Sequence, residues 1–425
     1  MNKNYLVVIF ALVSTLTISA QEQMLSLPSK QYMMKGVENR LYVQTFTRYE
    51  DLMGDIVRFE GDATYGKGGR LEKYAAISTP ESGSTIEVKL YDGRSFESVE
   101  SGQMRICAAD PATNGGEVKV QFLGDSFTKG CYFRDAFIDK GYVPNVKLIG
   151  LRGVPDAEGY SHEGRGGWTL ANYFSNKTGS ETFYNPYFQP SGKQHYWGNV
   201  TFWKIAVEVA TTGGKGMPFY KRYDCGDYDV SRFGEDGFLK NPTKGDLMFN
   251  GGYVEWNGKK WISCSEPEEW SFDYGKYLKM WDFEAPDFLV VMLGLNDFRD
   301  KSLPMDFATW NSQMETLLAS YIKAAPKGKL LLCTPCTSCG TLNNENGDFT
   351  TRQNAMMWHV RENVIKTFDG READQIYVVD ASVTIDNENG YNTKGDMQVG
   401  NPHPYPNYPQ LGVPIAACVQ YLRDK

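Results

Sequence analysis

The chain has 425 residues, with 44 Lys and Arg set against 52 Asp and Glu, a formal net charge of −8. That length buries a sizeable core and suits two domains. The acidic balance and the lack of a dense Lys/Arg tract give no support to nucleic-acid binding.

Residues 1–20 read as a secretory signal: Lys3, an apolar stretch from Tyr5 to Val13, then small residues ending at Ser19-Ala20. The stretch is short for a membrane span and no comparable run follows, so no stable membrane span is expected. No cysteine stands near the cleavage region, so a lipid-anchored form is not suggested. Export to the periplasm or beyond is expected, with the mature chain starting near Gln21. The eight cysteines fit an oxidising compartment, but their pairing is not readable.

Residues 21–115 read as a small all-β sandwich domain. Leu41, Val43 and Thr45 alternate with polar neighbours, and so do Ile86, Val88 and Leu90 before the turn at Asp92-Gly93. Met104 and Ile106 suggest a closing strand, followed by the turn-rich segment Asp110 to Gly116. This part contains no histidine.

From residue 116 the pattern becomes strand, loop, helix. Val118, Val120, Phe122 and Leu123 form a buried strand that ends at Gly124-Asp125-Ser126. Phe133, Ala136 and Phe137 fall at helical spacing, with Gly141 as the stop. Further strands are expected at Val146–Ile149, Phe288–Leu293, Leu330–Leu332 and Ile376–Val379. One helical face comprises Phe307, Trp310, Met314, Leu317, Leu318 and Tyr321, and a final helix is expected over Ile415–Leu422. Alternating strands and helices imply an α/β fold, three layers α/β/α around a parallel sheet, with working loops at the carboxyl ends of strands.

The stretch from about 180 to 285 interrupts this rhythm. It holds Trp197, Trp203, Trp256, Trp261, Trp270 and Trp281, six of the nine tryptophans. Such rings could line a sugar-binding cleft or form the private core of an irregular insertion; the second reading is preferred for most of them.

Cys333, Cys336 and Cys339 form a C-x2-C-x2-C run that invites a metal reading. A buried strand at Leu330–Leu332 and a loop opened by Pro335 explain the first part of it better. No fourth ligand stands at a zinc-like spacing, so no metal or cofactor is expected.

Three blocks carry the chemistry: Gly124-Asp125-Ser126, Gly294-Leu295-Asn296-Asp297 and His403-Pro404. A serine hydroxyl is a poor nucleophile until a neighbouring base takes its proton. Only four histidines exist. His359 falls in an apolar, helical context and is expected to be structural; His195 belongs to the insertion. His162 sits by a glycine-rich loop and could touch substrate. His403, between two prolines just before the last helix, stands where a base could be held. The G-x-S-x-G elbow of α/β-hydrolases is absent around Ser126.

With a glycine block at His162-Glu163-Gly164-Arg165-Gly166-Gly167-Trp168-Thr169 between them, these blocks in this order resemble the SGNH (GDSL-type) hydrolase superfamily. The resemblance covers residues 116–425, apart from the insertion. It implies an SGNH/flavodoxin-like sheet, Ser126 as nucleophile with its own N–H as an oxyanion donor, Gly167 (or Gly166) as the backbone donor, Asn296 as the side-chain donor and His403 as general base. Each fixed donor aimed at the developing oxyanion is worth about 3–4 kcal/mol. Asp125 and Asp297 are expected to brace their loops by bonding nearby backbone.

One position departs from the family pattern. The aspartate expected three residues before the histidine is Gly400, followed by Asn401. Asp396 could orient His403 from further upstream, or a main-chain carbonyl could, since the acid mainly fixes tautomer and orientation; the third possibility is an impaired enzyme.

The leading expectation is a secreted serine esterase removing a short acyl group, acetyl by preference, from a carbohydrate, with a small-molecule or polysaccharide ester as its partner. The same catalytic set serves lipases, phospholipases and thioesterases. A catalytically degenerate carbohydrate-binding protein is the alternative from another class.

Overall fold

The computed structural model describes residues 23–48, 55–61, 74–112, 115–130, 133, 135–150, 152–154, 157–175, 185–197, 232–234, 236–250, 252–336, 351–386, 390–391, 393–394, 397–398, 403–404, 408–423 and 425. The signal segment, Trp203, Cys339, Asp396, Gly400 and Asn401 lie outside them.

The N-terminal part forms β1 (Lys30–Met34), β2 (Asn39–Tyr42), β3 (Asp55–Gly61), β4 (Tyr74–Ile77), β5 (Thr85–Asp92) and β6 (Ser98–Ala109). A four-stranded sheet runs in the order β1-β6-β5-β3, and β2 pairs with β4 in a separate two-stranded unit. Strand alternation sends successive side chains to opposite faces. Met33, Met104, Ile106 and Ala108 join a local core with Leu41, Phe46, Ile86 and Val88. Their neighbours Tyr32, Met34, Cys107 and Ala109 instead join the main core of the molecule. The sheet therefore takes the α/β part as cover on one of its faces.

That part is built on β7 (Val118–Gly124), β8 (Val146–Ile149), β9 (Arg152–Val154), β10 (Ala157–Gly164), then, beyond the insertion, β17 (Phe288–Met292), β18 (Lys329–Cys333) and β19 (Ile376–Val379). The order is β19-β18-β17-β7-β10-β9, with β8 also on the edge of β7. The pairs β7/β8, β7/β10, β7/β17, β17/β18 and β18/β19 are all parallel; only β9/β10 is antiparallel. Every residue of β17 is buried, the pattern of a strand covered on both faces.

The alternation of Leu41, Val43 and Thr45 does not continue as strand: β2 stops at Tyr42 and Val43–Phe46 is a single helical turn, so the N-terminal part is not purely β. The helices beyond it are α1 (Ser126–Lys129), α2 (Tyr274–Trp281), α3 (Leu295–Phe298), α4 (Ala308–Ala324), α5 (Thr351–Phe368) and α6 (Tyr408–Leu422). The last begins at Tyr408 rather than Ile415. Pro409 stands in its first turn, where Pro is accepted, and Pro414 lies inside the helix. Gly412 has a packing reason: a Cβ there would stand 2.8 Å from that of Ala136. The helical spacing at Phe133–Phe137 corresponds to a single π-helical turn at Asp135–Asp139. Among the described residues no helix is long and apolar enough to cross a membrane.

The insertion contributes β11 (Phe188–Pro190), β12 (His195–Trp197), β13 (Leu247–Phe249), β14 (Tyr253–Trp256), β15 (Trp261–Ser263) and β16 (Trp270–Phe272), followed by α2. Its centre is aromatic: Tyr187 stacks on Tyr277 at 4.2 Å and on Phe272 at 5.5 Å between ring centroids. Trp281 is buried, whereas Trp256, Trp261 and Trp270 are half-buried. Tyr187, Phe272, Tyr277 and Trp281 belong to one core continuous with that of the sheet, and Trp261 packs against it.

Candidate active site

Three strands end together. Gly124 of β7 is in register with Gly164 of β10 and with Met292 of β17. This brings the serine block, the glycine block and the asparagine block to the carboxyl edge of one parallel sheet. Glycine is required where they crowd. A Cβ on Gly124 would meet Thr128 Oγ1 at 2.3 Å and the Met292 carbonyl at 2.6 Å, and one on Gly164 would meet the Lys129 backbone nitrogen at 2.1 Å.

Ser126 opens α1. The preceding Asp125 caps that turn, its Oδ1 accepting the Phe127 N–H at 3.0 Å. Ser126 is half-buried while Asp125 and Phe127 on either side are buried, so the hydroxyl-bearing residue is the one left accessible. Beyond β10 the chain turns over residues 165–168, closed by the Trp168 N–H on the Arg165 carbonyl at 3.1 Å. Gly167, third in that turn, has φ +77° and nothing within 4 Å of a Cβ position. Its exposure and its left-handed backbone mark it out from the half-buried Gly166.

Asn296 lies on α3, just past β17. Its Nδ2 donates to the Trp168 carbonyl at 3.1 Å and to Asp125 Oδ2 at 3.3 Å. The amide thus joins the glycine turn to the serine block. Asp297 braces the same turn from below, Oδ1 accepting the Leu170 N–H at 2.8 Å. Both aspartates bond nearby backbone, the bracing role the sequence suggests.

His403 is half-buried, and its ring centroid lies 4.9 Å from that of Phe127. Ser126, Gly167, Asn296 and His403 therefore gather around one sheet edge. Burial, assisted by the charge of Arg299, lowers the His403 imidazole to about 4, which keeps it neutral and able to accept a proton. Asp125 is pushed up to about 7, first by burial and then by Asp297, against the Phe127 N–H and Arg299. Burial raises Asp297 to about 6.

The other histidines stand elsewhere. His162 is buried on β10, with Nδ1 accepting the Gly164 N–H at 2.9 Å. His195 is buried in the insertion, where desolvation lowers it to about 3. His359 sits on α5 with Nδ1 3.5 Å from Glu362. Cys333 ends β18 and Cys336 follows it, both buried; with Cys107, Cys264 and Cys418 they are free thiols.

Sequence reasoning missed Arg299, one turn after Asn296, whose charge acts on both His403 and Asp125. It also missed the Trp168 carbonyl as a partner of Asn296. The first was legible as a basic residue at i+3 from the asparagine; the second, a backbone atom, leaves no sequence signal.

The block order, with Ser126 after β7, the glycine turn after β10, Asn296 after β17 and His403 before the last helix, resembles that of the SGNH hydrolases. No family model and no curated protein matches the chain. Among solved structures it is similar to an acetyl esterase mutant with acetate (12% identity, 72% of this chain and 99% of that one, TM-score 0.34). It is similar also to a carbohydrate esterase family 3 protein from Talaromyces cellulolyticus (13% identity, 72% and 99%, TM-score 0.34). A third is a carbohydrate esterase family 2 enzyme plus carbohydrate-binding domain from Myceliophthora fergusii (13% identity, 93% and 98%, TM-score 0.30).

Proposed function

We propose that the chain is an exported serine esterase of the SGNH kind that removes a short acyl group, acetyl by preference, from a carbohydrate. The observation that supports this best is the common register of Gly124, Gly164 and Met292, which delivers a serine, a glycine turn and an asparagine to one sheet edge beside His403.

In this reading Ser126 Oγ attacks the ester carbonyl carbon as its proton passes to a ring nitrogen of His403. The carbonyl oxygen becomes an oxyanion held by the N–H groups of Ser126 and Gly167 and by Asn296 Nδ2. Collapse breaks the C–O bond to the sugar, and His403 returns the proton to the leaving alcohol. Water then repeats the sequence on the acyl-serine, releasing the acid and restoring both side chains. Residues 21–115 act as an accessory domain to residues 116–425. No long apolar lid is evident in the sequence, which favours a polar acceptor over a lipid.

Hydrolysis of p-nitrophenyl acetate by the wild type, lost in Ser126→Ala, tests the reaction; comparison of acetylated xylan, pectin and long-chain esters tests the substrate. The Gly400 departure favours a second reading, a binding protein on a degenerate hydrolase frame. It predicts a folded wild type with no turnover on any of these esters.

A further inference from the structure

We propose, on the esterase reading above, that the buried Glu163–Arg165 pair, anchored from the insertion by Tyr277, positions the oxyanion turn 165–168. Glu163 and Arg165 stand two residues apart at the end of β10, and both are buried. Arg165 Nη2 donates to Glu163 Oε2 at 2.8 Å. Such a pair forfeits the hydration of two charges, so its presence is weak evidence of a stabilising role and invites a search for a geometric one.

That geometry is unusually connected. The Arg165 N–H donates to the Gly124 carbonyl at 2.8 Å, tying the turn to the strand that carries Ser126. The Arg165 carbonyl accepts the Trp168 N–H at 3.1 Å and so closes the turn around Gly167. The guanidinium carbon lies 4.9 Å from the centroid of the Trp168 ring, and the Trp168 carbonyl is what Asn296 Nδ2 bonds. One residue therefore touches the strand that leads to Ser126, the glycine turn and the ring of the residue whose carbonyl accepts from Asn296. Arg165 is itself buried, and its proposed role is that of a positioning residue.

The insertion completes the device. Tyr277 on α2 donates its hydroxyl to Glu163 Oε1 at 2.8 Å and accepts from Gln121 Nε2 at 2.9 Å. Tyr173 donates to the Gly124 carbonyl at 2.8 Å beside it. Glu163 is thus held on one side by the insertion and on the other by Arg165, and the planar guanidinium spans to Trp168 in a way that an ammonium would not. The aromatic insertion acts here as a brace behind the catalytic turn.

The test uses the full chain in three forms: Tyr277→Phe, Arg165→Lys and the double variant Glu163→Gln/Arg165→Met, which leaves no lone charge buried. Two readouts are taken, p-nitrophenyl acetate kinetics and peptide-level hydrogen exchange. The double variant is expected to lose about 30-fold or more in kcat with KM within about threefold of wild type, the signature of a loss confined to the transition state. Exchange should rise across 165–170 and stay unchanged in β7 and β17. Arg165→Lys should recover part of kcat, and Tyr277→Phe should show the same pattern more weakly. Wild-type kcat in the folded variants, or equal loss of protection in turn and strands, overturns the proposal. Should the double variant not fold, Tyr277→Phe decides by the same two readouts. A wild type with no turnover overturns the esterase reading instead, and the exchange data still decide whether the pair holds the turn.

Discussion

The imidazole of His403 lies 4.9 Å, centroid to centroid, from the ring of Phe127, the residue that follows Ser126. The proposed base, far along the chain, is thereby set beside the turn that carries Ser126. Phe127 supplies an apolar wall, and burial with Arg299 lowers the imidazole to about 4. In the proposed reaction the neutral form is the active one, so kcat/KM is expected to fall only as pH drops through about 4 and to be level above 6. Arg299→Gln removes a cation that disfavours imidazolium, so the imidazole rises toward its usual range. The acid limb should then move to higher pH; an unmoved limb would show that Arg299 does not act on the base.

Asp125 gives a stability prediction of opposite sign. Its folded value, about 7, stands above the ordinary 3.8 of an aspartate. The folded protein therefore binds the proton more tightly, and this contribution is full below about pH 3.8 and lost as pH rises through about 7. Thermal melts of the wild type should decline between pH 4 and 8, and Asp125→Asn should flatten that decline by an amount on the order of a few kcal/mol. Parallel pH slopes for the two proteins would contradict the assignment.

The glycines at the sheet edge separate packing from chemistry. Gly164→Ala forces a Cβ to 2.1 Å from the Lys129 nitrogen. A backbone atom cannot step aside cheaply, so a loss of about 3 kcal/mol or more is expected in denaturant melts. Gly167→Ala meets no atom but keeps φ +77°. It should cost only about 1–2 kcal/mol of stability while lowering kcat, and the contrast between the two profiles is the prediction.

A second buried pair joins the N-terminal segment to the α/β part. Arg361 Nη2 and Nε bond the two oxygens of Asp380 at 2.5 and 3.1 Å, and Nη1 donates to the Ser26 carbonyl at 2.7 Å. Asp380→Ala strands a buried guanidinium and should cost about 3–5 kcal/mol in urea unfolding. A loss below about 1 kcal/mol would show that the pair is not what secures this junction.

The parallel sheet was legible because β7, β17, β18 and β19 are short apolar runs, and the serine and asparagine blocks because each directly follows one. β10 was not legible. Its sequence Ala157–Gly164 lacks alternating apolar residues, and His162 and Glu163 are buried there on the strength of Gly164, Arg165 and Tyr277, partners that only folding supplies. The first turns of α6 carry Pro409, Gly412 and Pro414, residues that ordinarily interrupt a helix, and Gly412 is needed there by its packing against Ala136. Asp396, the residue suggested to orient His403, lies outside the described residues.

The most direct measurement is intact-protein and peptide mass spectrometry after exposure of the folded chain to a fluorophosphonate. A serine deprotonated by His403 and facing oxyanion donors should carry a single adduct, mapped to Ser126, with labelling abolished in Ser126→Ala and slowed by orders of magnitude in His403→Ala. An unlabelled wild type, or an adduct formed equally fast without His403, would contradict the account.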